Sequence, residues 1–286
     1  MSAGLLDERS ARVKAAKRLH RRAFRTKARR FLVEGPQAVR EVLALPTVDG
    51  VELFATGQAV ERHQELLDRA RAAAVEVHLV TEPALAALAD TVQPQGLVAS
   101  CRYLDVELPA VFAAAPRLVV VLVHVRDPGN AGTVLRTADA AGADAVVFTD
   151  ASVEAYNGKC VRSAAGSLFH LPVVTDCAVA DVAAAARAAG LQVLAAAADA
   201  PVTIDELGSA GRLSRPTAWL FGNEAWGLPA EALALADQAV SVPIHGRAES
   251  LNLSVSAALC MYASSGAQRA AGHVVRQGDE RVPGSS

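Results

Sequence analysis

Three short segments downstream of residue 117 place polar side chains among glycines directly after apolar runs: RDPGNAG at 126–132, FGNEAWGL at 221–228 and VPIHGRAESLN at 242–252. They supply Asn130, Glu224, Ser250 and Asn252, and Arg136 follows Asn130 by six residues. Most of these have a local explanation. Asn130 stands where a helix begins, and its side chain is a natural N-cap there. Glu224 suits a helix N-terminus, whose dipole favours a carboxylate, and Ser250 and Asn252 bracket Leu251 where the last helix starts. Arg136 differs, because a guanidinium within TVLRTADAAG needs a carboxylate or phosphate partner if it is buried. All these loops belong to one domain, and in open α/β sheets ligands bind beyond the carboxyl ends of the strands. After the first apolar run the chain reads DPGNAGTVLR rather than GxGxxG, and no Walker A pattern occurs, which disfavours a dinucleotide enzyme and a P-loop NTPase.

The elements that position these loops read as α/β. LVVVLVHV (118–125) is a continuous apolar run suited to a strand buried on both faces, and 143–150, 191–198, 217–224 and 239–246 read as further strands. TVLRTADAAG (133–142) is a helix closed by Gly142, 178–190 an Ala-rich helix, and LNLSVSAALCMYASSG (251–266) a helix stopped by Gly266. Upstream, strands at 29–35, 51–56, 75–81 and 96–103 alternate with helical segments at 36–45, 58–74 and 82–91, the pattern of a small α/β domain. The chain therefore divides into a basic arm at 1–28, a small domain at 29–107, an Ala/Pro-rich linker at 108–117, a larger domain at 118–266 and a polar, frayed tail at 267–286.

Composition narrows the function classes. The 286 residues are 52% hydrophobic with mean hydropathy +0.24, enough for two cored domains. No apolar stretch reaches the ~18 residues of a membrane helix, and charges occupy the place of a signal-peptide core, so a cytoplasmic protein without a membrane partner is expected. Cys101, Cys160, Cys177 and Cys260 are widely spaced without a CxxC pair, which excludes a zinc ribbon and a disulfide framework and predicts no metal. The net charge of −2 conceals an asymmetry. Residues 1–30 carry eleven Lys/Arg against Asp7 and Glu8, net +9; the other 256 carry 17 basic and 28 acidic side chains, net −11. A basic arm on an acidic body is the charge pattern of a nucleic-acid or acidic-surface binder. Phe24 is the arm's sole aromatic before Phe31, so phosphate contact rather than base stacking is expected of it.

HVRDPGNAGTVLRTADAAGADAVVF, LFGNEAWGLP and VSVPIHGRAESLNLSVSAALCMY resemble, in that order, the three motifs of the SpoU (TrmH-like) RNA ribose methyltransferases of the SPOUT superfamily. YNGKCVRSAAGSLFHLPV (156–173) is similar to the family's stretch between motifs one and two, and 29–101 to the small ribosomal-protein-like substrate-binding domain that often precedes the catalytic one. The resemblance implies an α/β-knot (trefoil) methyltransferase domain, a homodimer packed partly through the last helix, and S-adenosyl-L-methionine held by Phe221, Gly222, Asn223, Val242, Ile244 and Leu251. Gly222, lacking Cβ, would let the adenosyl group lie against the chain. Two departures from the family pattern stand out, Trp226 in motif two and the pair Arg247 and Glu249 before Ser250.

The implied chemistry is in-line attack of a ribose 2′-oxygen on a sulfonium methyl, which requires no metal and no covalent intermediate but does require that the hydroxyl be oriented and its proton removed or shared. By motif match Arg136 has that task, Asn130 holds the geometry, and Glu224, Ser250 and Asn252 orient Arg136 or the ribose. Arg162 and Ser163 would touch RNA phosphate, as would Arg18, Arg21, Arg22, Arg25, Arg29 and Arg30 of the arm. The two-domain form favours ribosomal RNA, with antibiotic resistance as a sub-case. The alternatives are a transfer RNA ribose methyltransferase and a catalytically silent RNA-binding or ribosome-assembly protein, the latter opposed by the presence of all five motif side chains.

Overall fold

The computed structural model describes residues 4–45 and 49–279, with side chains as far as residue 271. The first elements are α1 (Ala11–Lys17), α2 (Arg22–Ala28), β1 (Arg30–Glu34), α3 (Pro36–Ala44), β2 (Glu52–Ala55), α4 (Gly57–Arg62), α5 (Gln64–Ala72), β3 (Glu76–Leu79), α6 (Glu82–Leu88) and β4 (Leu97–Arg102). They are followed by α7 (Leu108–Ala113), β5 (Leu118–Leu122), α8 (Pro128–Ala141), β6 (Ala145–Thr149), α9 (Gly158–Ser163), β7 (Val173–Cys177), α10 (Val179–Ala188), β8 (Gln192–Ala196) and β9 (Val202–Thr203). Last come α11 (Ile204–Ser209), β10 (Thr217–Phe221), α12 (Ala230–Ala234), β11 (Gln238–Ser241) and α13 (Leu253–Asp279). The chain forms two compact units, one of the residues up to Leu104 with Ala155–Phe169, the other of Asp105–Glu154 with His170 onward.

In the first unit the sheet runs β1-β4-β2-β3, antiparallel except for the β2–β3 pair. Phe54 and Val98 pack on one face with Ala84, Leu85 and Leu88 of α6 and with Val13 and Ala16 of α1. The basic stretch expected as a separate arm is thus part of this unit: Val13, Ala16 and Leu19 are buried, and each large apolar side chain so buried contributes ~1.5–3 kcal/mol. Arg12 fastens α1 to the sheet, its Nη1 2.8 Å from His78 Nε2 and 3.6 Å from Glu52, with an ion pair to Glu76. Burial, then the Arg12 charge, pushes the His78 imidazole below its ordinary value, so its neutral ring accepts the Arg12 hydrogen bond. Residues 155–169, expected in the larger domain, pack here instead. Tyr156 stacks on Tyr103 and meets Phe31, Cys160 and Val161 are buried, and Arg162 pairs with Asp90 at 2.9 Å and Glu34 at 3.7 Å.

The second unit is a seven-stranded parallel sheet in the order β7-β6-β5-β10-β8-β11-β9. Val119, Val121, Val193, Ala195, Ala218 and Leu220 pack in one cluster with residues of α7, α10 and α12, while the alternate residues Val120, Leu122, Trp219 and Phe221 are buried as well. Two expectations are corrected here. The 108–117 segment is not a bare linker, because its α7 buries Val111 and Phe112 in the core. Nor does the last helix stop at Gly266. Ser264 accepts from the Trp219 indole at 2.9 Å, Ser265 donates to Ala141 at 2.6 Å, and Gln268 donates to Arg117 and Arg215, so both sides of the glycine are pinned and α13 continues to Asp279. Residues 280–286 of the expected tail lie outside the described residues.

Candidate active site

β5 and β10 are neighbours in register, Leu122 opposite Phe221, so their C-terminal loops leave the sheet side by side, tied by the Val123 N–H to the Phe221 carbonyl at 2.8 Å. The first loop enters α8 earlier than the sequence pattern implies. Asp127 is the N-cap, accepting from the Asn130 N–H at 2.8 Å, and Pro128 opens the helix. Asn130 is therefore not the cap but lies in the first turn, and its side chain is released for other partners. Its Nδ2 donates to Glu224 Oε1 at 3.1 Å, and its Oδ1 accepts from Asn252 Nδ2 at 3.1 Å. Glu224 also accepts from the N–H groups of Asp127 (3.3 Å) and Arg126 (3.4 Å). It is a carboxylate at a helix N-terminus, as its type suggests, but the helix is α8, reached across the sheet. Asn252 Oδ1 meanwhile accepts from the Ser254 N–H and hydroxyl at the start of α13. The residue that sequence reasoning misses is Asp127, whose signal is the Asp-Pro pair at 127–128.

The loop carrying Glu224 is closed on itself. Asn223 and Gly227 exchange two backbone hydrogen bonds (2.8 and 2.9 Å), and the buried Asn223 side chain donates to the His124 carbonyl and accepts from the Ala225 N–H. A Cβ on Gly222 would collide with the carbonyl group of Gly227 and the Leu228 nitrogen. The loop's own backbone is therefore by itself a reason for glycine at 222. Trp226 stands at the tip, 61% exposed.

Between β11 and α13, Val242, Ile244 and Leu251 are half-buried, and among the described residues none of the N–H groups of Ile244–Leu251 finds an acceptor within the chain. Apolar side chains beside available backbone donors are what a purine requires of a binding wall, apolar contact on its faces and hydrogen bonds at its edge. The donor set therefore fits the adenosyl group of S-adenosylmethionine. Phe221 is fully buried and offers backbone alone.

Residues 117–262 match the SpoU rRNA Methylase family, and residues 10–99 match the MRM3-like substrate binding domain. This chain belongs to the SpoU rRNA methylase family. It is 35% identical over 254 residues to the 23S rRNA (guanosine(2553)-2′-O)-methyltransferase RlmP of Bacillus subtilis, covering 89% of this chain and 96% of that one. Among solved structures it resembles the AdoMet-bound rRNA methyltransferase from Sinorhizobium meliloti (TM-score 0.77, 28% identity, 91% and 97% of the two chains). The SpoU methyltransferase AviRb from Streptomyces viridochromogenes with AdoMet is similarly close (TM-score 0.76, 29% identity, 92% and 100%).

Within this SpoU chain the structure brings Asn130, Glu224 and Asn252 together and leaves Arg136 and Ser250 apart. Both are exposed, and among the described residues neither has a hydrogen-bond or ion-pair partner. Arg136 therefore needs no internal counter-charge and lies one and a half turns along α8 from Asn130. The candidate RNA ligands divide. Arg25 is 4% exposed and donates to the Leu19 and His20 carbonyls, both at 2.9 Å, so it is a structural residue and not a phosphate ligand. Arg30 is held by Ser100 and Glu52, and Arg162 by Asp90 and Glu34, which takes up their charge inside the first unit. Ser163 is half-buried, whereas Arg18, Arg21, Arg22 and Arg29 are exposed. Burial pushes the thiols of Cys101 and Cys260 up to about 12 and that of Cys177 to about 11, which removes them from nucleophilic chemistry. The grouped Glu52, Glu76 and His78 already hold Arg12 as their cation.

Proposed function

We propose that this protein transfers the methyl group of S-adenosyl-L-methionine to a ribose 2′-hydroxyl of ribosomal RNA. The observation that carries the proposal is the Glu224–Asn130–Asn252 chain of hydrogen bonds, which ties side chains 94 and 122 residues apart in sequence into one array at the strand ends. Similarity along nearly the whole chain to a 23S rRNA ribose methyltransferase supports ribosomal over transfer RNA. The 2′-hydroxyl is what separates RNA from DNA at such a site.

When bound, S-adenosylmethionine supplies an electrophilic sulfonium methyl. Val242, Ile244, Leu251 and the backbone of Phe221–Asn223 hold it. Glu224, itself fixed by two backbone N–H groups, sets the orientation of Asn130, and Asn130 with Asn252 orients the ribose. Arg136 pairs with the adjoining RNA phosphate and, through its charge, favours loss of the hydroxyl proton to solvent, acting by position and field. Ser250 completes the ribose contacts. In-line displacement at a sulfonium carbon asks for no metal. The last helix carries Val255, Leu259 and Tyr262 along one stripe, 47, 46 and 54% exposed, which supports a homodimer packed through α13. Sedimentation at the mass of one chain would count against that dimer. The trefoil knot and a cytoplasmic location belong to the same reading and rest on family membership.

The test is calorimetric titration with S-adenosylmethionine followed by tritiated-methyl transfer to ribosomal RNA. Binding with alkali-stable label is the expected result. Absence of cofactor binding overturns the proposal, and cofactor binding with no transfer to naked or assembled ribosomal RNA favours a silent RNA binder.

A further inference from the structure

In the first unit a column of aromatic rings runs outward from the core and ends on an arginine. Phe31, fully buried on β1, meets Tyr156 at 4.7 Å between centroids, and Tyr156 stacks on Tyr103 at 3.9 Å with 19° between the planes. Over the Tyr103 ring lies the guanidinium carbon of Arg29, 4.6 Å from its centroid. Hydrogen bonds hold the column in place: Leu104 N–H donates to the Tyr156 hydroxyl at 2.8 Å, and Tyr103 N–H donates to the Arg29 carbonyl at 2.9 Å. Arg29, Arg30, Arg102 and Tyr103 line a groove of about 290 Å³.

We propose that this groove is a nucleotide subsite, in which the Arg29 guanidinium seated on Tyr103 receives an unpaired RNA base on its outward side and Arg102 takes the neighbouring phosphate. The proposal rests on RNA being the substrate and adds base recognition to a surface from which the sequence suggests phosphate contact alone. Planar guanidinium groups stack on bases as aromatic rings do, and here the Arg29 guanidinium carbon lies over Tyr103, whose ring is itself stacked on Tyr156. Arg102 is well exposed, with its nearest carboxylate, Asp49, 3.8 Å away. Arg30, held by Ser100 and Glu52, forms a fixed wall.

Arg29 is the C-cap of α2 with φ 51° and ψ 44°, the left-handed conformation that glycine adopts most readily, so glycine at this position suits the backbone while it removes the guanidinium.

Fluorescence anisotropy of the full chain, with a labelled short single-stranded RNA and an abasic ribose-phosphate oligomer of equal length, tests this. The wild type should prefer the base-bearing strand by roughly ten-fold or more. Arg29→Gly suits the backbone conformation and keeps the Tyr103 N–H hydrogen bond, and the preference should fall to near one. Arg29→Lys should keep the abasic affinity and its salt dependence and lose the preference. No base preference in the wild type, or preference retained in either variant, overturns the subsite. Methyl transfer to ribosomal RNA by the wild type, measured alongside, keeps the two readings separate: lack of transfer with base preference intact would sink the enzymatic reading and leave the subsite standing.

Discussion

Asn130 shows how much of the site a residue type can foretell. A primary amide has a donor end and an acceptor end, and both are used, Nδ2 toward the Glu224 carboxylate and Oδ1 toward the Asn252 amide. The sequence points to Asn130, Glu224 and Asn252 because their loops fall in one domain and resemble the SpoU motifs, and it is that resemblance which implies their part in orienting the ribose. It misassigns the cap, since an Asn and an Asp three residues apart compete for the same helix end and only the position of Pro128 settles which one wins. Asn130→Asp would set a carboxylate against Glu224 and remove the donor; we expect methyl transfer to fall on the order of a hundred-fold through misplacement of the ribose, with S-adenosylmethionine affinity nearly unchanged. Arg136→Ala should be the opposite kind of variant. Among the described residues it breaks no side-chain hydrogen bond or ion pair, so the melting temperature should hold and cofactor titration should match the wild type, while single-turnover transfer disappears. Normal turnover by the Arg136 variant would remove that residue from the mechanism.

At the scale of elements, the strands of both sheets other than β7 and β9 are legible in the sequence, most plainly β5, β6, β8 and β10, whose continuous apolar runs reflect burial on both faces. β7 at the sheet's edge and the two-residue β9 lack such a run, and α7 is hidden in LPAVFA, whose Ala and Pro content mimics a linker. The packing of α1 is hidden too, since its basic residues outnumber Val13 and Ala16. That packing has a pH signature. His78 is buried against Arg12, Glu52, Glu76 and the Phe54 ring, and its folded-state pKa lies below the unfolded one. The unfolded chain therefore binds the proton more readily, so the stabilisation is complete above about pH 6.5 and is lost as pH falls through the folded value. We expect the thermal midpoint to drop between about pH 7 and 5, and His78→Gln, which can accept from Arg12 without titrating, to flatten that drop. Parallel pH profiles for the two proteins would assign the effect to other groups.

The whole molecule carries its charge as a basic N-terminal stretch, net +9, against a remainder of net −11. Sequence counting weights the eleven cations equally, and the fold sorts them. Arg12 is neutralised by Glu76 and Glu52, Arg25 is buried on two carbonyls and Arg30 is tied to Glu52, whereas Lys17, Arg18 and Arg21 face solvent. Affinity for a polyanion depends on cations that release counterions from phosphates, and a buried guanidinium releases none. Replacing Lys17, Arg18 and Arg21 together by Gln should weaken RNA binding and make log affinity less steep against log salt. The slope should shrink by about 0.7 for each single-strand phosphate no longer neutralised, roughly two for three phosphates, with the melting temperature unchanged. Arg25→Gln removes one formal charge but leaves the Leu19 and His20 carbonyls without their donor, at a cost of about 1–3 kcal/mol in stability. In the fraction still folded its salt slope should equal that of the wild type. An equal reduction of slope per charge removed, about 0.7 for Arg25→Gln against roughly two for the triple variant, would mean that binding senses net charge rather than the exposed surface, and the division between structural and RNA-facing arginines would fail.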